Sequence, residues 1–368
     1  MQKKILYCAS TASHLRNFHL PYMQNLQRMG YYVAACVNEP CELPFADEII
    51  VIPFKKKMTS PENIKNIIRA YRMLKKQKFD AVSLHTTLSS LIIRAAVMLL
   101  PKGKRPKVFY TCHGYLFGKN DGIGKWKYLL PEKICAGITD VLMVMNREDE
   151  QIARTEKLYK DELIFIPGMG VDFTRFDLQQ NREELRSRYN INENEVLFVF
   201  AGEFSARKNQ QELINAFLRA SKQMPNAKLL LAGTGALQDE CKRLVENANA
   251  TERIIFTGYV ENMPELYRVS DVCVSASRIE GLPFNIMEAM YCGMPCIVSD
   301  IKGHNDLITH GQSGYLYTAE LELAEYMARF YTDVVQRSQM GEQSRQIMQN
   351  YALDWVKPVI IQVYEENL

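Results

Sequence analysis

The chain has 368 residues, 47% of them hydrophobic and 24% charged, which is long for one domain and enough for two that each bury a full core. Nine cysteines follow no repeating framework and an odd number cannot all pair internally, so reduced, buried thiols of a cytoplasmic protein fit better than a disulfide scaffold. The net charge of +3 hides an asymmetry: residues 1–177 hold 27 Lys+Arg against 17 Asp+Glu (+10), and the remainder 18 against 25 (−7).

Lys3 and Lys4 lead straight into the short apolar run Ile5–Ala9, which does not read as a secretory leader. That run is the first of a series of strand candidates, followed by Tyr32–Val37, Ile49–Phe54, Ala81–His85, Val108–Cys112 and Val141–Met145. Helical stretches lie between them. Asn17–Met29 is ended by Gly30, and Pro61–Gln77 is opened by Ser60 as N-cap. The longest apolar segment, Leu88–Leu100, carries Arg94 and is too short to span a bilayer, so it reads as a buried helix. Basic clusters at Lys55–Lys57, Lys75–Lys78, Lys102–Lys107 and Lys119–Lys127 suit a polyanionic surface, anionic lipid or nucleic acid, or a solvated lysine-rich face.

The alternation then restarts. Val196–Ala201, Leu229–Ala232, Ile254–Phe256, Val272–Ser275 and Cys296–Ser299 are the strands of a second unit, with helices at Gln210–Gln223, Leu237–Glu246 and Phe284–Cys292. Strands separated by helices imply βαβ crossovers and parallel sheets. The expected fold class is therefore α/β, with two Rossmann-like doubly wound domains at 1–177 and 190–350 facing across a cleft, joined by a polar linker near Asp172–Asn194. The amphipathic stretch 353–368, with Trp355, Val359, Val363 and Tyr364 on one side, could cap the second domain or cross back to the first.

The sharpest chemical signal is Glu280-Gly281-Leu282-Pro283-Phe284-Asn285-Ile286-Met287-Glu288. It follows a strand and opens a helix. A turn shaped by Gly281 and Pro283 is expected to bare the N–H groups of Phe284, Asn285 and Ile286, which with the helix dipole make a seat for a diphosphate. The two carboxylates suit sugar hydroxyls that need acceptors.

This segment resembles the E-x7-E signature of retaining GT-B glycosyltransferases, particularly family 4, of the bacterial capsular and exopolysaccharide type. Three other segments agree in order and spacing: Gly202 with Lys208, Gly233-Thr234-Gly235, and Phe256-Thr257-Gly258-Tyr259-Val260. The similarity covers nearly the whole chain. It implies that the first domain binds acceptor and the second binds a nucleotide-diphosphate sugar, a UDP-sugar carrying a hexose or N-acetylhexosamine. The implied acceptor is a lipid-linked glycan at the inner face of the cell membrane, met by a peripheral protein on an anionic surface, with no nucleic acid involved.

Carried over residue by residue, the resemblance gives Glu288 the ribose hydroxyls and Glu280 the hydroxyls of the transferred sugar, helped by the backbone at Phe284 and Asn285. Lys208 neutralises the diphosphate, and Val260 lies where the family's backbone reads the base. His113, in Tyr110-Thr111-Cys112-His113-Gly114, matches the family's histidine near the transferred sugar, although a backbone-satisfied structural His is the alternative. His85 also ends a strand and reads equally as structural or functional. His14 sits in the first strand-to-helix loop, where relatives approach donor phosphates or acceptor; His19, His304 and His310 are expected to be structural.

The chain departs from the family pattern at Glu203, where many relatives carry Arg; either Lys208 works alone or Arg207 supplies the guanidinium. There is no Asp-x-Asp pair to hold a metal on a diphosphate, Cys292 and Cys296 lack partner ligands for zinc, and GxGxxG is absent. No metal or cofactor is therefore expected. Rival readings are a catalytically silent sugar-nucleotide-binding subunit and a GT-B sugar-nucleotide epimerase, the latter disfavoured by the E-x7-E motif.

Overall fold

A computed structural model describes residues 2–55, 57–119, 121–177 and 181–368. Lys56 of the first basic cluster and residues 178–180 of the expected linker fall outside them. The chain forms two units: one runs up to Gly170 and includes Asp354–Leu368, and the other is Val171–Leu353.

The first unit holds seven strands: β1 (Lys4–Cys8), β2 (Tyr32–Val37), β3 (Glu48–Val51), β4 (Ala81–His85), β5 (Lys107–Cys112), β6 (Val141–Val144) and β7 (Glu162–Phe165). Their order is β3-β2-β1-β4-β5-β6-β7, parallel throughout. Helices cover both faces, so the central strands are buried along their whole length and their sequences are continuous apolar runs. Strand β7 escaped the sequence reading because it is a half-exposed edge strand of four residues beginning with Glu.

The expected helix Asn17–Met29 is two helices, Ala12–Phe18 and Leu20–Arg28. Pro21 has no N–H to donate, so the chain breaks at His19 and restarts with Pro in the first turn. Helix Pro61–Gln77 has Ser60 in N-cap geometry, but the Ser60 side chain makes no capping bond. The apolar stretch forms helix Thr87–Met98, with Arg94 buried and paired to Glu132 at 2.7 Å. The C-terminal helix Leu353–Asn367 packs Tyr364 in this unit, its hydroxyl 2.6 Å from Ser83 Oγ and its ring 5.0 Å from that of Phe109.

The second unit holds β8 (Val196–Ala201), β9 (Ala227–Ala232), β10 (Ile254–Gly258), β11 (Val272–Ser275), β12 (Cys296–Ser299) and β13 (Gly314–Tyr317), in the order β10-β9-β8-β11-β12-β13, again all parallel. Strand β13 went unread because it opens with a glycine, normally a turn signal. Here the glycine is a packing requirement, since a Cβ on Gly314 would lie 2.2 Å from the Cys296 carbonyl oxygen.

The segment expected to be a linker is built into this unit. Phe173 stacks on Tyr291 at 4.2 Å, and Phe176 and Leu185 are buried. Arg182 and Arg186 converge on Asp271 at 2.6 and 3.2 Å. Its polarity is that of a short helix, Arg182–Arg188, packed on helix Met263–Val269, with arginines bonding the carbonyls of Arg268 and Val269.

In each sheet the strand order reverses at one place, between β1 and β4 and between β8 and β11. At such a reversal the loops at the carboxyl ends diverge and leave a crevice, where doubly wound folds bind ligands.

Candidate functional site

The loops after β8 and β11 bring the proposed donor-site residues together. Lys208, in the loop after β8, donates from Nζ to Glu280 Oε1 at 2.7 Å, and Arg207 donates from NH1 to Glu280 Oε2 at 3.0 Å. Lys208 and Glu280 are buried, whereas Arg207 is largely exposed. The loops are also tied by backbone, the Arg278 N–H donating to the Arg207 carbonyl at 2.8 Å.

Burial alone would raise the Glu280 carboxyl, but the charges of Lys208 and Arg207, with hydrogen bonds from Lys208 and Ser277, outweigh it and hold the group below its ordinary range. Burial pulls the Lys208 ammonium down against the opposing attraction of Glu280. The arrangement is a carboxylate with both oxygens occupied by cations, one buried and one reaching solvent.

Glu288 is on helix Phe284–Tyr291, eight positions on from Glu280. Burial pushes its carboxyl up to about 7, with Arg175 opposing. Asn285 fastens the start of this helix to the sheet by donating from Nδ2 to the Ala201 carbonyl at 2.8 Å, and Tyr267 donates to the Asn285 carbonyl at 3.2 Å. One expectation needs correction. The Ile286 N–H is not bare: it donates to the Pro283 carbonyl at 3.2 Å, because the chain is already coiled at Pro283 and the first turn closes on itself.

Beside this cluster lies a pocket of about 480 Å3 lined by Gly202, Glu203, Gly233, Thr234, Gly235, Tyr259, Val260 and neighbours. Three of the four motif segments thus meet at the carboxyl ends of β8, β9 and β10. The meeting needs glycine: a Cβ on Gly233 would lie 2.1 Å from the Gly202 carbonyl oxygen, and its φ is +128°. Lys208, Glu280 and Glu288 lie outside this lining, but a Cβ on Gly202 would be 3.4 Å from Lys208 Cε, so the pocket borders the ion-pair cluster. Glu203 is exposed on the lining, a carboxylate where the resemblance leads one to expect a cation.

Sequence reasoning missed the third wall of the cluster. The loop after β12 presses on Glu280: a Cβ on Gly303 would be 2.5 Å from the Gly281 carbonyl oxygen and 3.3 Å from Glu280 Cβ. His304, expected to be structural, is fully buried and donates from Nδ1 to the Ser299 carbonyl at 2.9 Å, while its Nε2 has no hydrogen-bond partner. Burial lowers it to about 4, with Glu280 pulling it up and Lys208 down. The only sequence signal was a Gly-His pair following a strand.

In the first unit, His113 follows β5 and is not alone. Its Nε2 lies 3.4 Å from His14 Nε2 and 3.4 Å from His85 Nδ1, and the His19 ring is centred 3.9 Å from that of His85. Four histidines meet where the strand order reverses. Burial lowers all four, His14 to about 4. His19, read from sequence as structural, is fully buried with neither ring nitrogen hydrogen-bonded. His310 is exposed on the second unit, accepting from the Leu316 N–H.

Comparison with known proteins agrees with the two-sheet fold. Residues 181–347 match the family described as glycosyl transferases group 1, and residues 4–145 match glycosyl transferase 4-like. A Bacillus subtilis (strain 168) protein named as a glycosyltransferase, EpsD, is 33% identical over 325 residues, 86% of this chain and 84% of its own. An Escherichia coli UDP-Gal:alpha-D-GlcNAc-diphosphoundecaprenol alpha-1,3-galactosyltransferase is 30% identical over 262 residues, 69% of this chain and 66% of its own. Among solved structures, Anabaena HepE in complex with UDP and glucose superposes with a TM-score of 0.80 at 16% identity, covering 100% of both chains. Sucrose-phosphate synthase from Thermosynechococcus elongatus gives 0.81 at 19% identity, covering 99% of both. At such identities the structural likeness speaks for the fold, and the sequence matches speak for the family: the chain belongs to the GT-B glycosyltransferases of the group 1, family-4-like kind.

Proposed function

We propose that this glycosyltransferase moves a hexose or N-acetylhexosamine, with retention, from a UDP-sugar to a lipid-linked glycan in cell-surface polysaccharide synthesis. The observation that carries the reading is the Lys208–Glu280–Arg207 cluster at the border of the glycine-lined pocket. It offers positive charge for a diphosphate and, in direct contact with that charge, a fixed carboxylate for sugar hydroxyls.

In this reading Gly202, Gly233 and Val260 line the seat of the nucleoside, Glu288 accepts from the ribose, and Lys208 and Arg207 hold the diphosphate. Asn285 adds a backbone donor on the sugar side, and His113 meets the transferred sugar. The anomeric C–O bond to the diphosphate breaks while the acceptor oxygen bonds to the same face of that carbon, and the acceptor's proton passes to the departing phosphate oxygen. Preorganised cations lower the barrier by stabilising charge where it develops. Arg207, 3.0 Å from the same carboxylate that Lys208 holds, then stands in for the guanidinium missing at Glu203.

The lipid-linked acceptor draws support from the Escherichia coli relative, whose name specifies a diphosphoundecaprenol-linked substrate. A peripheral membrane position fits the exposed surface of the first unit. Helix Trp126–Ala136 presents Trp126, Leu130 and Ile134 at intervals of four, with Ile123 90% exposed just before it and Lys127 and Lys133 alongside. No helix among the described residues is long and apolar enough to cross a membrane.

The test is incubation with radiolabelled UDP-sugars and a polyprenyl-diphosphate saccharide, in buffer with and without EDTA. Transfer with the donor's anomeric configuration, undiminished by EDTA, is the expected outcome. Nucleotide binding without transfer would favour a silent subunit, and loss of activity on chelation would overturn the metal-independent reaction.

A further inference from the structure

We propose that His14, His19 and His113 form a binding site for a zinc-like divalent cation, with a fourth position open to water or a ligand. The three come from different elements: His14 from the first turn after β1, His19 from the break between the two short helices, and His113 from the end of β5. One ligand atom from each lies within 4.8 Å of the others.

The spacing suits coordination better than hydrogen bonding. Zn–N bonds of about 2.0–2.1 Å at tetrahedral angles set neighbouring ligand nitrogens about 3.3–3.4 Å apart. His14 Nε2 and His113 Nε2 are 3.4 Å apart, longer than an ordinary N–H hydrogen bond. His19 gives the independent observation. It is 0% exposed, and both its ring nitrogens lack partners, a state that buried polar atoms rarely tolerate without an ion or water to satisfy them.

The surroundings fit as well. His85 Nε2 is 2.9 Å from Ser83 Oγ, which is 2.6 Å from the Tyr364 hydroxyl. This chain of hydroxyls fixes the His85 ring with Nδ1 3.4 Å from His113 Nε2, a fourth imidazole placed against the ligating nitrogen. An all-imidazole set without carboxylate selects zinc, copper or nickel over magnesium or calcium.

The site does not depend on the transferase reading, with one exception. If His113 contacts the transferred sugar, as proposed above, zinc on its Nε2 competes with that contact and inhibits.

The experiment is zinc titration of the full chain against a chromogenic chelator, alongside His14→Gln, His113→Gln and, as control, His310→Gln, each checked for folding by circular dichroism. One tightly held zinc per chain is expected in the wild type and in His310→Gln, with affinity reduced roughly 100-fold or more in the other two. Unchanged affinity in His14→Gln and His113→Gln, or no stoichiometric binding by the wild type, overturns the site. Co2+ added to the unmutated protein supplies a measurement that needs no variant. Intense visible bands of a four-coordinate ion support the site, and the weak bands of an octahedral ion overturn it. Neither readout involves sugar transfer, so failure here leaves the proposed reaction standing, and the reverse also holds.

Discussion

At the scale of single residues, the two cations on Glu280 differ in burial, and that difference orders their expected effects. Lys208 is buried against Glu280, so its charge is fixed in a weakly screened place, and Lys208→Ala should lower kcat by roughly 10²–10³-fold. Arg207 reaches solvent, and water screens its charge, so Arg207→Ala should cost less. Steady-state kinetics on both variants is the check, and a nearly silent Lys208→Ala would move the diphosphate elsewhere. Glu288 makes a pH argument. Burial pushes its carboxyl up to about 7 in the folded protein, so below that pH it is protonated and loses the charge that makes it a strong acceptor for ribose hydroxyls. UDP affinity should therefore rise as pH increases through about 7 and flatten above it. Because the folded-state value lies above the unfolded one, the same group favours folding at low pH and withdraws that contribution between about 4.5 and about 7. Glu288→Gln should abolish the pH step in UDP binding, and Glu288→Ala should weaken binding roughly tenfold to a hundredfold, the loss of a hydrogen bond to a charged acceptor. Calorimetric titration with UDP from pH 5.5 to 8.5 (about 3 units, spanning the transition) reads both.

At the scale of elements, helix Thr87–Met98 is held to helix Trp126–Ala136 by one buried ion pair. Arg94 NH2 donates to Glu132 Oε2 at 2.7 Å, its NH1 meets Thr139 Oγ1 at 3.3 Å, and its guanidinium lies 4.2 Å from the centre of the Tyr110 ring. Both side chains are buried, so Glu132→Ala leaves a stranded cation and should cost about 3–5 kcal/mol, measured by urea unfolding. The double change Arg94→Met with Glu132→Leu removes both charges and should recover most of that loss; if it does not, the pair contributes more than mutual neutralisation. Arg94 was legible in the sequence as the residue that keeps this helix from being a membrane span, but its partner was not, since nothing local links positions 94 and 132. The same limit applies more widely. Central strands such as β4, β8, β11 and β12 were readable to the residue because burial on both faces makes each a short unbroken apolar run. Half-exposed β7 and glycine-led β13 gave no such run. Motif residues Gly202, Gly233, Lys208, Glu280 and Glu288 were legible because their chemistry is local to one loop or helix terminus. The wall formed by Gly303 and His304, and the meeting of His14, His19, His85 and His113, depend on strand order. A sequence shows each histidine following a strand or a loop without showing that β1, β4 and β5 are neighbours in the sheet.

At the scale of the whole molecule, charge and exposed apolar surface coincide in the first unit. Residues 1–170 and 354–368 together carry a +9 excess, and residues 171–353 carry −6. On helix Trp126–Ala136 the apolar positions Trp126, Leu130 and Ile134 face outward, and on helix Pro61–Gln77 Ile64 and Ile68 do so, beside Lys65, Lys75 and Lys76. An amphipathic helix with a basic border lies in the headgroup region of a bilayer, its apolar side chains entering the acyl boundary and its lysines attracted to anionic lipid. Each lysine near such a surface contributes about 1 kcal/mol, so three or four suffice for reversible attachment even before apolar burial is counted. Two variants separate the contributions. Changing Lys119, Lys125, Lys127 and Lys133 to Gln should abolish the preference for anionic over zwitterionic liposomes, and changing Trp126, Leu130 and Ile134 to Ser should weaken binding to both. Wild-type co-sedimentation with anionic liposomes should also fall as salt rises past the point where the screening length, about 10 Å at 0.1 M, becomes shorter than the spacing of the charges from the surface. Wild-type protein that ignores lipid charge and salt would reduce the asymmetry to surface decoration, and the acceptor would then be sought among soluble saccharides.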